Sequence, residues 1–176
     1  MEESAETIKV SFKRLELIKK EKEELEKKLN IIIEFSDNVI HIKGNAENVF
    51  FAMPVIKAIA KGFSKEQAYK LLSNENAFES IDLRDFCNTE NCIKRLKGRV
   101  IGKMGRIKKE IESSADCLIA VYGHSISIIA PYYTMTYAKE AIMKILNGSK
   151  HSSVLNYLSK IREQIMYSKL TGKDTF

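Results

Sequence analysis

The chain has no tryptophan, two prolines and three cysteines in 176 residues. It also lacks a long apolar run. The longest uncharged apolar stretch, Val49–Ile56, is far short of the ~20 residues that cross a bilayer as a helix. No membrane span is expected. The opening residues, MEESAETIKV, carry neither a basic leader nor an apolar segment, so no signal peptide is expected. Cys87, Cys92 and Cys117 form an odd set without scaffold spacing. The expectation is reduced thiols in an intracellular protein. A zinc site from Cys87, Cys92 and His124 lacks the second ligand pair such sites use. Paired-carboxylate spacing, Ser/His/Asp order and a metal cluster are all missing. No catalytic residue, metal or cofactor is expected, and the protein does not read as an enzyme.

What the chain has is positive charge. The net charge is +6 and the pI about 9.1, which suits a polyanionic partner. From Lys94 to Lys109 there are eight basic residues and no acidic one. In the middle sits Gly102-Lys103-Met104-Gly105, between apolar-periodic flanks. Two glycines bracketing two residues read as a tight turn between two helices. Glycine permits φ > 0 and lets another backbone approach. The second helix then aims unsatisfied N–H groups over the turn, which suits a phosphodiester backbone. A Walker A loop is excluded, because Gly98 and Gly102 enclose three residues and Met104 follows Lys103.

Periodicity gives a strand at Thr7–Phe12, a helical segment at Arg14–Leu29, and strands at Ile31–Phe35 and Val39–Lys43 joined by a hairpin. A helix follows over Asn45–Lys61, starting late near Ala52 or kinking at Pro54. Ser64 with Gln67 predicts a capping box for a short helix at Lys65–Leu72. Next come a strand at Glu79–Phe86, a helix from Asn88-Thr89-Glu90 to Ile101, the glycine turn, and a helix to Ala115. Strands at Cys117–Tyr122 and Ser125–Ala130, a helix at Tyr132–Leu146 and a last amphipathic helix at His151–Leu170 complete the chain. The tail from Thr171 is expected to fray.

Sliding the chain by 86 residues superposes its halves. Leu25 lands on Ile111 and Ile33 on Ile119. Ile40 and Ile42 land on Ile126 and Ile128. Ala52, Ile56, Ile59 and Gly62 land on Ala138, Ile142, Ile145 and Gly148. The fold class is therefore α+β, with two copies of one unit, each a three-stranded sheet with helices on one face. The same offset puts Glu16 and Lys19 on the slots of Gly102 and Gly105. The first copy thus lacks the turn.

The run GRVIGKMGRIKKEIE (98–112) resembles a eukaryotic-type (type I) KH domain, whose GXXG loop clamps about four nucleotides. The whole chain resembles the two-KH small-subunit ribosome assembly factors of the Pno/Dim type, with the Krr factors more distant. Besides the turn, the resemblance rests on three stretches: Ile59-Ala60-Lys61-Gly62-Phe63-Ser64 with Ala68 and Leu71-Leu72, Ile81-Asp82-Leu83-Arg84-Asp85, and Asn147-Gly148-Ser149-Lys150-His151. It spans roughly residues 6 to 166. It implies tandem type I KH domains: a degenerate one at 1–73, one with GXXG at 74–150, and a C-terminal helix and tail at 151–176. It further implies single-stranded RNA as partner, at the 3′ region of small-subunit rRNA. A nuclease maturing that end and the α subunit of translation initiation factor 2 are implied as protein partners.

This sequence departs from many archaeal members in lacking GXXG in its first domain, and Met104 stands at a turn position more often polar. The C-terminal third reads as archaeal-like. The implied location is cytoplasmic, or nucleolar in a eukaryote. On this reading Gly102 and Gly105 admit the backbone, and Lys103, Arg106 and Lys109 neutralise phosphates. Arg95 and Arg99 extend the basic track. Val100, Ile101, Ile111 and the edge near Ile119 form an apolar floor for bases, although Ile111 reads more readily as core, and Met104 stands in the turn. Arg95, Lys97 and Lys108 read equally well as solvated surface. His124 reads as a turn residue, His41 as a half-exposed strand residue and His151 as a helix start. The alternative is a protein–protein adaptor in which the KH folds act mainly as scaffold.

Overall fold

The computed structural model describes residues 3–171. The expected tail lies outside the described residues, apart from Thr171, which still belongs to the last helix. The chain divides into two units, 1–74 and 75–176. The first comprises β1 (Glu3–Lys9), α1 (Phe12–Lys20), α2 (Lys22–Leu29), β2 (Ile32–Ser36), β3 (Val39–Asn45), α3 (Ala46–Ala60) and the short α4 (Lys65–Ala68). The second comprises β4 (Asn76–Asp82), α5 (Glu90–Ile101), α6 (Arg106–Ser114), β5 (Leu118–Tyr122), β6 (Ser125–Pro131), α7 (Tyr132–Leu146) and α8 (His151–Thr171). Each unit holds a three-stranded antiparallel sheet, ordered β1-β3-β2 and β4-β6-β5. No helix among the described residues is long and apolar enough to cross a membrane.

The expected 86-residue offset holds from the second helix of each unit onward. β2 and β5, β3 and β6, and α3 and α7 coincide at that spacing. Even single contacts repeat. Glu26 Oε1 accepts the Ile33 N–H at 2.7 Å and faces Lys22 Nζ at 3.6 Å. Glu112 Oε1 accepts the Ile119 N–H at 2.8 Å and the Lys108 ammonium at 2.8 Å. In both units a carboxylate from the second helix holds an outward amide of the edge strand.

Ahead of the second helix the offset fails, falling to 73 residues between β1 and β4. Glu16 and Lys19 therefore lie inside α1 rather than opposite the glycine turn. The unit-1 counterpart of that turn is one residue, Glu21, at φ −98° and ψ 5°. The expected single helix at 14–29 is thus two helices. Two strand expectations also shift. The first strand ends at Lys9, because Ser11 is extended and its carbonyl accepts the amides of Arg14 and Leu15, so Phe12 opens a helix. The strand expected to reach Phe86 ends at Asp82, whose carboxylate accepts the Arg84 amide at 2.9 Å and turns the chain.

Helix α3 begins at Ala46 and runs through Pro54, not from Ala52. Asn45 caps it by accepting the Glu47 amide at 3.1 Å. Pro54 leaves the Phe50 carbonyl without its usual donor. The Phe50 side chain is exposed, so this side of the helix faces water that can serve the carbonyl. The predicted capping box is present: the Gln67 amide donates to Ser64 Oγ and the Ser64 amide to Gln67 Oε1.

In unit 2 the core lies between the sheet and its helices. Ile126 and Ile128 face Val100, Ile107, Ile111, Ala138, Ile142 and Ile145, all buried. Helix α8 adds Val154 and Leu158 to the same core.

Candidate nucleic-acid interface

Helix α5 is set by Thr89, whose Oγ1 accepts the Cys92 amide at 3.3 Å. Its inner face is Ile93, Leu96 and Val100. The other face then carries Lys94, Arg95, Lys97 and Arg99, as 3.6-residue periodicity requires. The helix ends as the Gly102 amide donates to the Gly98 carbonyl at 2.8 Å. Gly102 has φ 72° and ψ 175°. A Cβ there would stand 2.5 Å from Ile107 Cγ1 and 2.9 Å from Ile107 Cβ. Both the dihedral and the closeness of Ile107 demand glycine.

Lys103–Gly105 form one tight turn, with the Gly105 amide on the Gly102 carbonyl at 3.2 Å. Met104 sits at φ 52° and is 92% exposed. Gly105, at φ 76°, has no atom within 4 Å of where a Cβ would be. Here glycine serves the dihedral alone and leaves the backbone open. Helix α6 then starts at Arg106 with no side-chain cap. Its first N–H groups are thus unanswered by any side chain, beside the partial positive charge of the helix end.

Around that end, Lys103, Arg106 and Lys109 are exposed, and none of their side chains makes a hydrogen bond or ion pair among the described residues. They are cations without an internal partner. The neighbours differ. Lys108 is held by Glu112. Lys97 Nζ donates to the Gly123 carbonyl at 2.7 Å. Arg95 is exposed and its Nη2 lies 3.7 Å from Cys92 Sγ. Arg99 Nη2 donates to the Ser149 carbonyl at 2.6 Å, so one donor of its guanidinium is committed within the fold.

The apolar floor requires correction. Val100 is fully buried and Ile119 is 4% exposed, both in the core cluster. Alternation along β5 turns Ile119 toward the helices, and its amide is taken by Glu112. These two side chains belong to the core of the second unit. Ile101 is half-buried and remains at the surface. Ile111 is core.

The expectation of three reduced thiols is corrected at two positions. Cys87 and Cys92, with Cα atoms 6.0 Å apart, form a disulfide across the start of α5. The two lie five positions apart, and the chain between them turns locally at Thr89, which caps α5. Cys117 is free and buried. Burial, and secondarily Glu112, pushes its thiol up to about 12. His124 stands 3.0 Å from Glu90 through Nε2, and no metal-competent cluster occurs among the described residues. Sequence reasoning also missed the role of His151. Its Nε2 donates to the Arg99 carbonyl at 2.9 Å, a contact whose only sequence trace is a histidine at a helix start.

Comparison with known proteins fits this geometry. Residues 77–163 match the family described as eukaryotic type KH-domain (KH-domain type I). A KH domain-containing protein of Methanocaldococcus jannaschii is 35% identical over 150 residues, covering 82% of this chain and 66% of that protein. The pre-rRNA-processing protein pno1 of Aspergillus fumigatus is 28% identical over 114 residues, covering 62% and 45%. The chain therefore spans just under two thirds of the first relative and less than half of the second. Dim2p of Pyrococcus horikoshii superposes with a TM-score of 0.81 at 30% identity, covering 89% of this chain and 99% of that one. A structure of an a/eIF2alpha–aDim2p–rRNA complex from the same organism gives 0.84 at 29% identity, covering 92% and 96%.

Proposed function

Because this chain belongs to the Pno/Dim family of KH-domain proteins, we propose that it binds single-stranded rRNA through its second unit during small-subunit assembly. The target is the 3′ region of small-subunit rRNA, where the protein assists the nuclease that matures that end. The first unit is a KH fold without GXXG, the second a KH domain with it, and α8 completes the second. The protein itself carries out no chemistry on this reading. It binds, orients and presents RNA, in the cytoplasm or, in a eukaryote, the nucleolus.

One observation carries the reading. Three unpaired cations surround a helix N-terminus that no side chain caps, reached over an open glycine backbone. Gly102 and Gly105 let the sugar–phosphate chain approach. Lys103, Arg106 and Lys109 meet phosphates, and Arg95 and the remaining donors of Arg99 extend the track. Ile101 offers the apolar contact for a base, with Val100 and Ile119 fixing its position from below.

The test is binding of a labelled RNA matching the 3′ end of small-subunit rRNA to wild type and a Lys103→Asp/Met104→Asp variant at several salt concentrations. Loss of binding with an unchanged melt supports the reading. Equal binding overturns it. A second reading is favoured by the a/eIF2alpha subunit in the Pyrococcus complex. In it, the fold serves as an adaptor for that subunit, and salt-insensitive protein binding without RNA affinity would select it.

A further inference from the structure

The last carbonyls of an α-helix have no donor one turn on. In α5, the Gly102 amide serves the Gly98 carbonyl. The Arg99 carbonyl comes next, but the chain leaves the helix at Gly102. Its partner arrives from 52 residues away, as His151 Nε2 at 2.9 Å. A carbonyl only accepts, so Nε2 holds the proton. Arg99 returns a bond, from Nη2 to the Ser149 carbonyl at 2.6 Å. The two bonds form a reciprocal clamp between the end of α5 and the α7–α8 junction.

The junction is itself rigid. The Ser149 amide donates to the Lys144 carbonyl and the Gly148 amide to the Ile145 carbonyl, closing α7. Beyond it, Val154 and Leu158 are buried with Ile107 and Ile111 of α6. The C-terminal segment thus ties α5 through its terminal carbonyl and α6 through its core face. These are the two helices that flank the glycine turn. Among the described residues, unit 1 shows no such device. The residue 86 positions before His151 is Lys65, whose ammonium pairs with Glu24 of α2. Helix α1 closes locally, the Glu21 amide donating to Leu17 and Ile18. The clamp occurs where the turn occurs.

We infer that His151 is a positioning residue for the phosphate-binding turn. It caps the C-terminal end of α5 and so fixes the direction in which Gly102–Gly105 leave the helix. This rests on the RNA reading above. It adds that the turn is preset by a histidine that touches no RNA, from a segment outside the strand–helix–helix–strand–strand–helix unit.

The test uses the full chain with His151→Ala, His151→Gln and, separately, Lys103→Asp/Met104→Asp. Affinity for the 3′-end rRNA probe is measured across salt, and NMR amide exchange at Gly102 and Gly105 is followed in free protein. Loss of one cap bond predicts about fivefold weaker binding for His151→Ala. The salt slope stays unchanged because no phosphate contact is lost, and the two glycine amides exchange faster. The glutamine side chain also donates an N–H, so His151→Gln recovers most of both readouts. Wild-type affinity and exchange in His151→Ala, with binding lost in the turn variant, overturn the positioning role and leave the RNA reading standing. A salt slope lowered by about one for His151→Ala makes His151 a phosphate ligand instead and overturns it too. Retained binding in the turn variant overturns the RNA reading, and the positioning role with it.

Discussion

The two units differ least where the fold is made and most where RNA would be met. From the second helix onward they match at a constant offset, down to the carboxylate on an edge-strand amide. Between the first strand and the second helix they diverge. Unit 1 breaks its helices at one residue, Glu21, amid mixed charge. Unit 2 has a longer first helix, a glycine turn with three residues at positive φ, and cations left unpaired. The lesson is that the sheet and the helix after it are the frame, and the helix pair ahead of the edge strand is the variable part. The fold accommodates both arrangements there.

The comparison can be broken most severely at Gly102. Gly102→Ala forces a methyl against Ile107 at a left-handed φ, and strain plus overpacking costs about 3 kcal/mol. Calorimetry should show unit 2 melting early. Glu21→Gly, at the corresponding break in unit 1, costs about 1 kcal/mol or less. Charge reversal comes next. Lys103→Asp/Met104→Asp should weaken RNA binding about 30-fold or more at moderate salt, while Lys20→Asp in α1 changes it less than about twofold. Equal losses in a binding titration would make the two units equivalent and end the distinction.

A third effect is confined to unit 2. The Cys117 thiol is pushed up to about 12 by burial, so the folded state keeps a proton that the unfolded state releases from about pH 9. Stability is untouched below that and falls as pH rises from about 9 toward 12. The loss is about 2–3 kcal/mol at pH 11. A Cys117→Ala variant should show a shallower alkaline decline in melting temperature. The smallest effect sharpens the likeness. Glu26→Ala and Glu112→Ala each strand one edge amide, and each should cost about 1–2 kcal/mol in denaturant unfolding. A loss in one unit only would show the shared device to be coincidental.

Much of this was legible from residue order, because the signals were local. The Ser64–Gln67 box, the hairpins and the Tyr132–Leu146 helix are written in neighbouring residues. The glycine turn is legible for the same reason, since two of its three positive-φ positions, Gly102 and Gly105, are glycines within four consecutive residues. What was not legible depends on distance. Strand ends were misplaced where a capping residue, Ser11 or Asp82, overrode alternation. The Cys87–Cys92 bond is the exception, a pair five positions apart that an odd cysteine count did not announce. The burial of Val100 and Ile119 depends on which face the helices cover. The tie from His151 to Arg99 joins residues 52 positions apart, and nothing in either one's neighbourhood announces the other.

The matched carboxylates of Glu26 and Glu112 also bear on solubility. β2 and β5 each lie at a sheet margin, and an open row of strand amides is a template for another chain. By holding the Ile33 and Ile119 amides, the two glutamates, each facing a lysine ammonium, interrupt that row. A second molecule cannot zip onto either margin without first expelling a carboxylate. The contact that repeats between the units therefore occupies an amide that strand addition would otherwise use.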